Sequence, residues 1–280
     1  MELNLGDISV LAAGLDHPEG VALGPDGLLY AGGEAGQIYQ IDPASGSCRQ
    51  VADTRGSVLG LCLDSAGRVY ACDTLHRAIL RVWPATGEVE SYCDETAYGR
   101  LRIPNWAVFA ADGTLWFSDS GAEDLNEASG TLIRVAPGGG TGQIAEVRPF
   151  QFCNGLALAP GGALFVVESF ANRVCMVQAG EVVTYADLPG TIPDGVALDD
   201  EGGLVVSCYQ PNRILRVPPG GGEPSLVLDD WTGLRLFVPT NVAFYGRDMR
   251  QLAIANLGGV ELRTIEVPWR GQRLNYPDVP

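Results

Sequence analysis

The chain has 280 residues with 18 Lys and Arg against 34 Asp and Glu, a formal net charge of −16, and 46% hydrophobic residues. That is enough apolar material for a sizeable core, and it lies far from the signature of a disordered chain. So acidic a balance leaves no basic footprint for nucleic acid or for an anionic lipid surface, so neither is an expected partner.

The N-terminus, MELNLGDISV, has no positive segment followed by a long apolar core, and no run of about 18 uncharged apolar residues follows anywhere. The expectation is a cytoplasmic protein. Residues 7 to 13, DISVLAA, read as a lone strand ahead of a repeated pattern. The first copy is EGVALGPDGLLYAGG from 19, and it is followed by LGLCLDSAGRVYACD from 59, NWAVFAADGTLWFSD from 105, NGLALAPGGALFVVE from 154 and DGVALDDEGGLVVSC from 194. A sixth copy with a longer turn, TNVAFYGRDMRQLAIAN, starts at 240, so the starts lie 40, 46, 49, 40 and 46 residues apart. Each copy is a short apolar run, a turn rich in Gly, Asp and Pro, and a second run rich in Val, Leu, Tyr and Phe, which is the pattern of a β-hairpin.

Behind each hairpin comes a third run: GQIYQID at 36, RAILRVW at 77, GTLIRVA at 130, NRVCMVQ at 172, NRILRVP at 212 and GVELRTIEV at 259. A fourth follows in five copies: CRQVAD at 48, EVESYC at 88, QIAEVR at 143, EVVTYAD at 181 and SLVLDD at 225. Four strands in each unit of 40 to 50 residues is the signature of propeller blades. The expected fold is therefore all-β, one six-bladed β-propeller domain over residues 1–280 with four antiparallel strands per blade. The sixth copy lacks a fourth strand, and the spare N-terminal strand is expected to complete that blade and close the ring. The Gly-rich stretches APGGGTG at 136 and PPGGGEP at 218 lack the Lys-Ser/Thr of a phosphate loop and read as hairpin turns. The seven cysteines include no CxxC pair and fall mostly in apolar runs, as reduced buried thiols would.

The residue entering the innermost strand of a blade lies at the mouth of the central channel. Around the ring that position reads Glu19, Leu59, Asn105, Asn154, Asp194 and Thr240. Asn and Asp often begin strands for local reasons, by satisfying nearby backbone groups. Local roles would scatter them over neighbouring positions, whereas here they share one register. Two carboxylates and two amide oxygens make a hard-oxygen set for Ca²⁺, Mg²⁺ or Mn²⁺. The only histidines are His17 and His76, too few for a His-rich zinc site, and His17 reads as a hydrogen-bonded turn residue. A Ser-His-Asp triad has little support for the same reason.

The segments HPEG, IPNW, FCNG and IPDGVALD, with the hairpins between them, resemble the family that includes senescence marker protein (regucalcin), gluconolactonase and related lactone hydrolases, over residues 15 to 267. The resemblance implies one divalent ion in the channel, Ca²⁺ foremost with Mg²⁺, Mn²⁺ or Zn²⁺ as alternatives, held by Glu19, Asn154 and Asp194, with Asn105 contacting metal or substrate. It also implies a small-molecule lactone or ester substrate; with the metal acting as a Lewis acid on the carbonyl, Asp194 is expected to be both ligand and general base. Members commonly read Asn-Asp where this chain has Asn105-Trp106, and the Arg that some sugar lactonases carry two residues earlier is Ile103 here. Arg102 is adjacent but on an extended segment faces elsewhere. Strand reversal puts Asp119, Ser120, Glu168 and Tyr209 on the rim, so Asn105, Trp106, Arg102, Asp119, Ser120 and Tyr209 are the candidate substrate contacts. Residues 120 to 130, SGAEDLNEASG, would overhang the mouth as an acidic loop or a lid. The same ring could also serve a different metal-assisted reaction, or a binding platform with a structural ion.

Overall fold

The computed structural model describes residues 2–121 and 127–280. Its strands form six four-stranded antiparallel sheets; five run outward from the centre in chain order, and the sixth takes its outermost strand from the N-terminus. Blade one is Val21–Leu23, Leu29–Gly32, Gln37–Ile41 and Cys48–Asp53. The innermost strands of the next five are Val58–Leu63, Pro104–Phe109, Cys153–Leu158, Ile192–Leu198 and Pro239–Tyr245. Each touches the innermost strand of both neighbouring blades, and blade six returns to blade one, so the ring is closed.

Closure comes from the spare strand, as expected. Ser9–Ala13 pairs with Glu261–Glu266, the third strand of blade six, with Ser9 opposite Thr264 and Ala13 opposite Glu261. The first link of the chain is thereby hydrogen-bonded into the last sheet, and opening the ring requires breaking that ladder.

The hairpin turns explain why the repeat is so regular. Gly27, Gly67, Gly113, Gly162 and Gly202 occupy the same turn position with φ between 74° and 90°, a left-handed conformation that costs glycine little, and in the longer turn of the sixth copy Met249 takes that position with φ 58°. Aspartates near them accept the turn's N–H groups, as Asp199 Oδ1 does from Glu201 and Gly203 at 3.0 and 2.7 Å.

Between successive blades lies a hydrophobic cluster, and strand periodicity of two assigns side chains to them. In blade five, Leu204, Val206 and Cys208 join the cluster shared with blade four, while Val205 joins the one shared with blade six. Burying a Val or Leu side chain contributes roughly 1.5–3 kcal/mol, so each interface is stabilising without helices or disulfides. The seven cysteines are free; Cys72, Cys93, Cys153, Cys175 and Cys208 are buried, whereas Cys48 and Cys62 are half-buried.

Three features depart from the sequence reading. The fourth strand of blade three is only Gln143–Ile144, and an extra two-stranded ribbon, Glu95–Thr96 with Gly99–Arg100, precedes that blade. The segment after Arg270 forms no blade strand, yet it is ordered as a strap across the end of the channel opposite the ring positions. Gln272 N donates to Leu198 O at 2.9 Å, Asn275 Nδ2 to Phe109 O at 3.0 Å and Tyr276 Oη to Leu23 O at 2.8 Å. These carbonyls belong to the last residues of the innermost strands of blades five, three and one. The two Gly-rich stretches are connections between third and fourth strands, as expected. Among the described residues no helix is long and apolar enough to cross a membrane.

Candidate functional site

The ring positions do not simply precede the innermost strands. In blades two to six the strand has already begun, and the ladder shifts register by one residue between Val58 and Leu61, Pro104 and Trp106, Cys153 and Leu156, Pro193 and Val196, and Pro239 and Val242. Leu59, Asn105, Asn154, Asp194 and Thr240 therefore sit in β-bulges, which bend the strand and re-aim side chains away from the regular pleat. Glycine follows the ring residue in four blades because the next blade's backbone is close: a Cβ on Gly155 would lie 2.6 Å from the carbonyl oxygen of Asp194. Hydroxyls tie the bulges together. Ser118 Oγ donates to Asn154 O at 2.7 Å, Ser207 Oγ to Thr240 O at 2.8 Å, and Thr240 Oγ1 to Glu19 O at 2.7 Å.

Glu19, Asn154 and Asp194, 175 positions apart in sequence at the extremes, meet in this ring. Asn154 hydrogen-bonds the Asp194 carboxylate and the charge of Glu19 is felt there. Burial, then the neighbouring charge of Glu34, pushes the Glu19 carboxyl up to about 7. Burial, then the charge of Glu19, pushes Asp194 well above the usual carboxylate range, and the Asn154 hydrogen bond only partly opposes this. Both side chains keep part of their surface accessible. Two acids held close together in a desolvated ring, beside an amide oxygen, are unfavourable alone and matched to a divalent cation in charge and in donor type. The donors present fit such an ion.

The flanking residues are held in a repeated way. Asn105 Nδ2 donates to Ser120 Oγ at 3.0 Å, and Asn154 Nδ2 to Ser169 Oγ at 3.3 Å; the same spacing of 15 residues recurs in adjacent blades. Ser169 was not among the sequence candidates, although its equivalence to Ser120 in the repeat marks it. Asp119 accepts from the backbone N–H groups of Arg102, Ile103 and Gly121 at 2.7, 2.9 and 3.1 Å, and so braces the segment leading to Asn105. Glu168 does the same in blade four, taking Gln151 N at 2.7 Å, Arg173 Nε at 2.7 Å and Arg148 Nη2 at 3.0 Å. Burial alone would raise the Glu168 carboxyl, but these donors hold it down to about 2.

Arg102 is exposed, with its backbone N–H on Asp119, and Tyr209 is half-buried at the end of the second strand of blade five. Trp106, 9% exposed, packs with Leu132, Phe150 and Leu156 in the interface between blades three and four. Its indole also covers Gly60 and reaches the wall of a cavity of about 110 Å³ in the lower channel, lined by Val21, Leu61, Val196 and the strap. Of the acidic segment 120 to 130, residues 122–126 lie outside the described residues. His17 is a turn residue with φ 41°, its Nδ1 3.0 Å from Asp16 Oδ1. Asp16, His17 and Glu34 bring one potential ligand atom each within 4.8 Å of one another, at half-buried and exposed positions.

The SMP-30/Gluconolactonase/LRE-like region matches residues 25–257, a stretch that holds Asn105, Asn154 and Asp194 and begins just after Glu19. A strictosidine synthase-like N-terminal region matches residues 4–41. A 6-deoxy-6-sulfogluconolactonase of Pseudomonas putida is 26% identical over 252 residues, 82% of this chain and 78% of that protein. Among solved structures, a gluconolactonase from Xanthomonas campestris superposes with TM-score 0.78 at 21% identity, covering 93% of this chain and 89% of its own. A calcium-binding regucalcin from Agrobacterium tumefaciens superposes with TM-score 0.79 at 17% identity, covering 95% and 96%. At these identities the two structures speak to the fold alone. The family match spans most of the propeller, and the chain belongs to the SMP-30/gluconolactonase/LRE-like family.

Proposed function

We propose that this protein is a metal-dependent hydrolase that opens a lactone or a related ester, with a divalent cation, Ca²⁺ foremost, held by Glu19, Asn154 and Asp194. The observation that carries the reading is the pairing of two desolvated carboxylates with Asn154 in one ring of bulges, an arrangement whose charge calls for a cation. The lactonase chemistry rests on family membership and on the likeness to the 6-deoxy-6-sulfogluconolactonase. A cation bound there would act as a Lewis acid toward the substrate carbonyl.

The chain's own groups do the rest. Asp194 takes a proton from the attacking water onto a carboxylate oxygen. The water oxygen bonds to the carbonyl carbon, the ring C–O bond breaks, and the proton passes to the leaving oxygen, so the product is a hydroxy acid. Asn105, fixed by Ser120, is placed to orient the substrate by its amide. Trp106, Tyr209 and Arg102 are the further candidate contacts, and Asp119 and Ser120 act by holding the segment on which Asn105 sits. Turnover of a panel of sugar lactones, aliphatic lactones and aryl esters tests the reading. Asp194→Ala is expected to lose at least about 100-fold in rate with the fold intact, and chelation is expected to abolish turnover reversibly. Hydrolysis that survives both changes overturns it.

A further inference from the structure

The position after the ring residue is glycine in blades one, two, four and five, but Trp106 in blade three and Asn241 in blade six. Trp106 has apolar neighbours to pack on. Asn241 is 1% exposed, and neither its amide oxygen nor its amide nitrogen has a hydrogen-bond partner. An unpartnered buried amide costs roughly 1–3 kcal/mol, and such a group calls for a missing partner.

Its location says what that partner is. Blade six lies between blade five, which carries Asp194, and blade one, which carries Glu19. On one side the Asn241 amide nitrogen lies over Gly195, the residue next to Asp194, 2.4 Å from where a Cβ there would sit, which turns the amide oxygen away from the Gly195 backbone. On the other side, neighbouring Thr240 is bonded to the backbone carbonyl of Glu19 at 2.7 Å, and this commits the Thr240 hydroxyl and leaves the amide of the bulge free. The unpartnered amide is thus built into the arc between the two acids.

We propose that Asn241 is a further protein ligand of the channel cation, offering its amide oxygen from the arc between Asp194 and Glu19. This rests on the cation reading above and adds a donor that the ring register alone does not mark. A neutral oxygen there raises the number of hard donors without adding charge, as suits Ca²⁺.

The test is calorimetric titration of the full-length, metal-stripped protein with Ca²⁺ alone, together with melting curves with and without Ca²⁺. Asn241→Leu, close in volume and without an amide, is expected to weaken Ca²⁺ binding by about 10-fold or more. Asn241→Asp, nearly isosteric, adds a third acid to the ring. It is expected to melt lower than the parent without metal and to gain more on Ca²⁺ addition, a response that a packing role does not produce. If Asn241→Leu does not fold, Asn241→Ala and Asn241→Asp carry the comparison. A Kd within twofold of the parent in the folded Leu or Ala variant, with Asp194→Asn abolishing binding, overturns the role of Asn241 and leaves the cation site standing. Failure of the parent protein to take up Ca²⁺ overturns both.

Discussion

Asp194 and Glu19 are carboxyls that burial lifts above their ordinary range, and the direction of the shift fixes a pH response. A carboxyl raised in the folded state favours folding when protonated. The metal-free protein should therefore lose stability as pH climbs from the ordinary carboxylate range, with the Glu19 contribution lost through about 7. Ca²⁺ should reverse that loss at pH 8, and Asp194→Asn should raise the metal-free melting temperature there while removing the Ca²⁺ response; differential scanning calorimetry at several pH values checks both. Glu168 has the opposite sign. Its carboxyl is held at about 2 by Arg148, Arg173 and the Gln151 N–H, so its stabilisation is complete above the ordinary carboxylate pKa and disappears as pH falls toward 2. Glu168→Gln strands two arginines and is expected to cost roughly 2–4 kcal/mol at neutral pH and far less in acid, read from urea denaturation at pH 7 and pH 3. The acids were legible as outliers before apolar runs. Asn241 was not, because an Asn beside Thr240 looks like an ordinary strand start until the structure shows its amide buried without a partner.

At the scale of the element, the bulge is the device that converts a repeated hairpin into a site. Strand runs and turns could be read directly from the sequence, since alternation recurs in each copy and Gly at a fixed turn position in the first five. The bulge could not, because one inserted residue leaves the apolar pattern on either side intact and is visible only in the pairing, as where Cys153 faces Glu168 but Leu156 faces Val166. The ribbon Glu95–Arg100 also escaped, being two polar residues per strand with no alternation to detect. The bulges make a test of their own. A methyl on Gly155 would meet Asp194 O at 2.6 Å and Gly195 Cα at 2.8 Å, both backbone atoms that cannot step aside. Gly155→Ala should therefore push blades four and five apart at the point where Asn154 meets Asp194, costing about 1–3 kcal/mol and weakening Ca²⁺ binding more than a substitution at the outer edge of the same blade. Gly180→Ala, at a turn where the added methyl meets nothing within 4 Å, is the comparison; its own penalty is the left-handed φ of 83°.

The whole molecule is fastened twice, by different means. The N-terminal strand hydrogen-bonds into blade six and contributes Leu11 and Ala12 to the cluster between blades six and one, so its removal opens a ladder and uncovers a core. The C-terminal strap instead spans the ring from beneath. It takes the final carbonyls of the innermost strands of blades five, three and one, and reaches blade two through the bond from Ser65 N to Pro277 O at 2.9 Å. The sequence shows the first fastening as a spare strand with strand-like alternation. It hides the second, because RGQRLNYPDVP has no periodic pattern and its order comes from carbonyls supplied by remote blades. The two should fail differently. Deleting residues 2–13 is expected to abolish cooperative unfolding, since no other segment can pair with Glu261–Glu266. Deleting residues 271–280 is expected to leave the ring closed, lower the melting temperature by several degrees or more for the loss of a few hydrogen bonds at about 1 kcal/mol each together with the buried Val279 and the packing of Tyr276, and unroof the apolar lower channel. Binding of a hydrophobic fluorescent dye should then rise while Ca²⁺ affinity at the opposite mouth stays within about twofold of the parent, because the strap touches none of Glu19, Asn154 or Asp194. If Ca²⁺ affinity collapsed together with the strap, the lower channel and the acid ring would be one mechanical unit, and the separation of floor from site drawn from these contacts would be wrong.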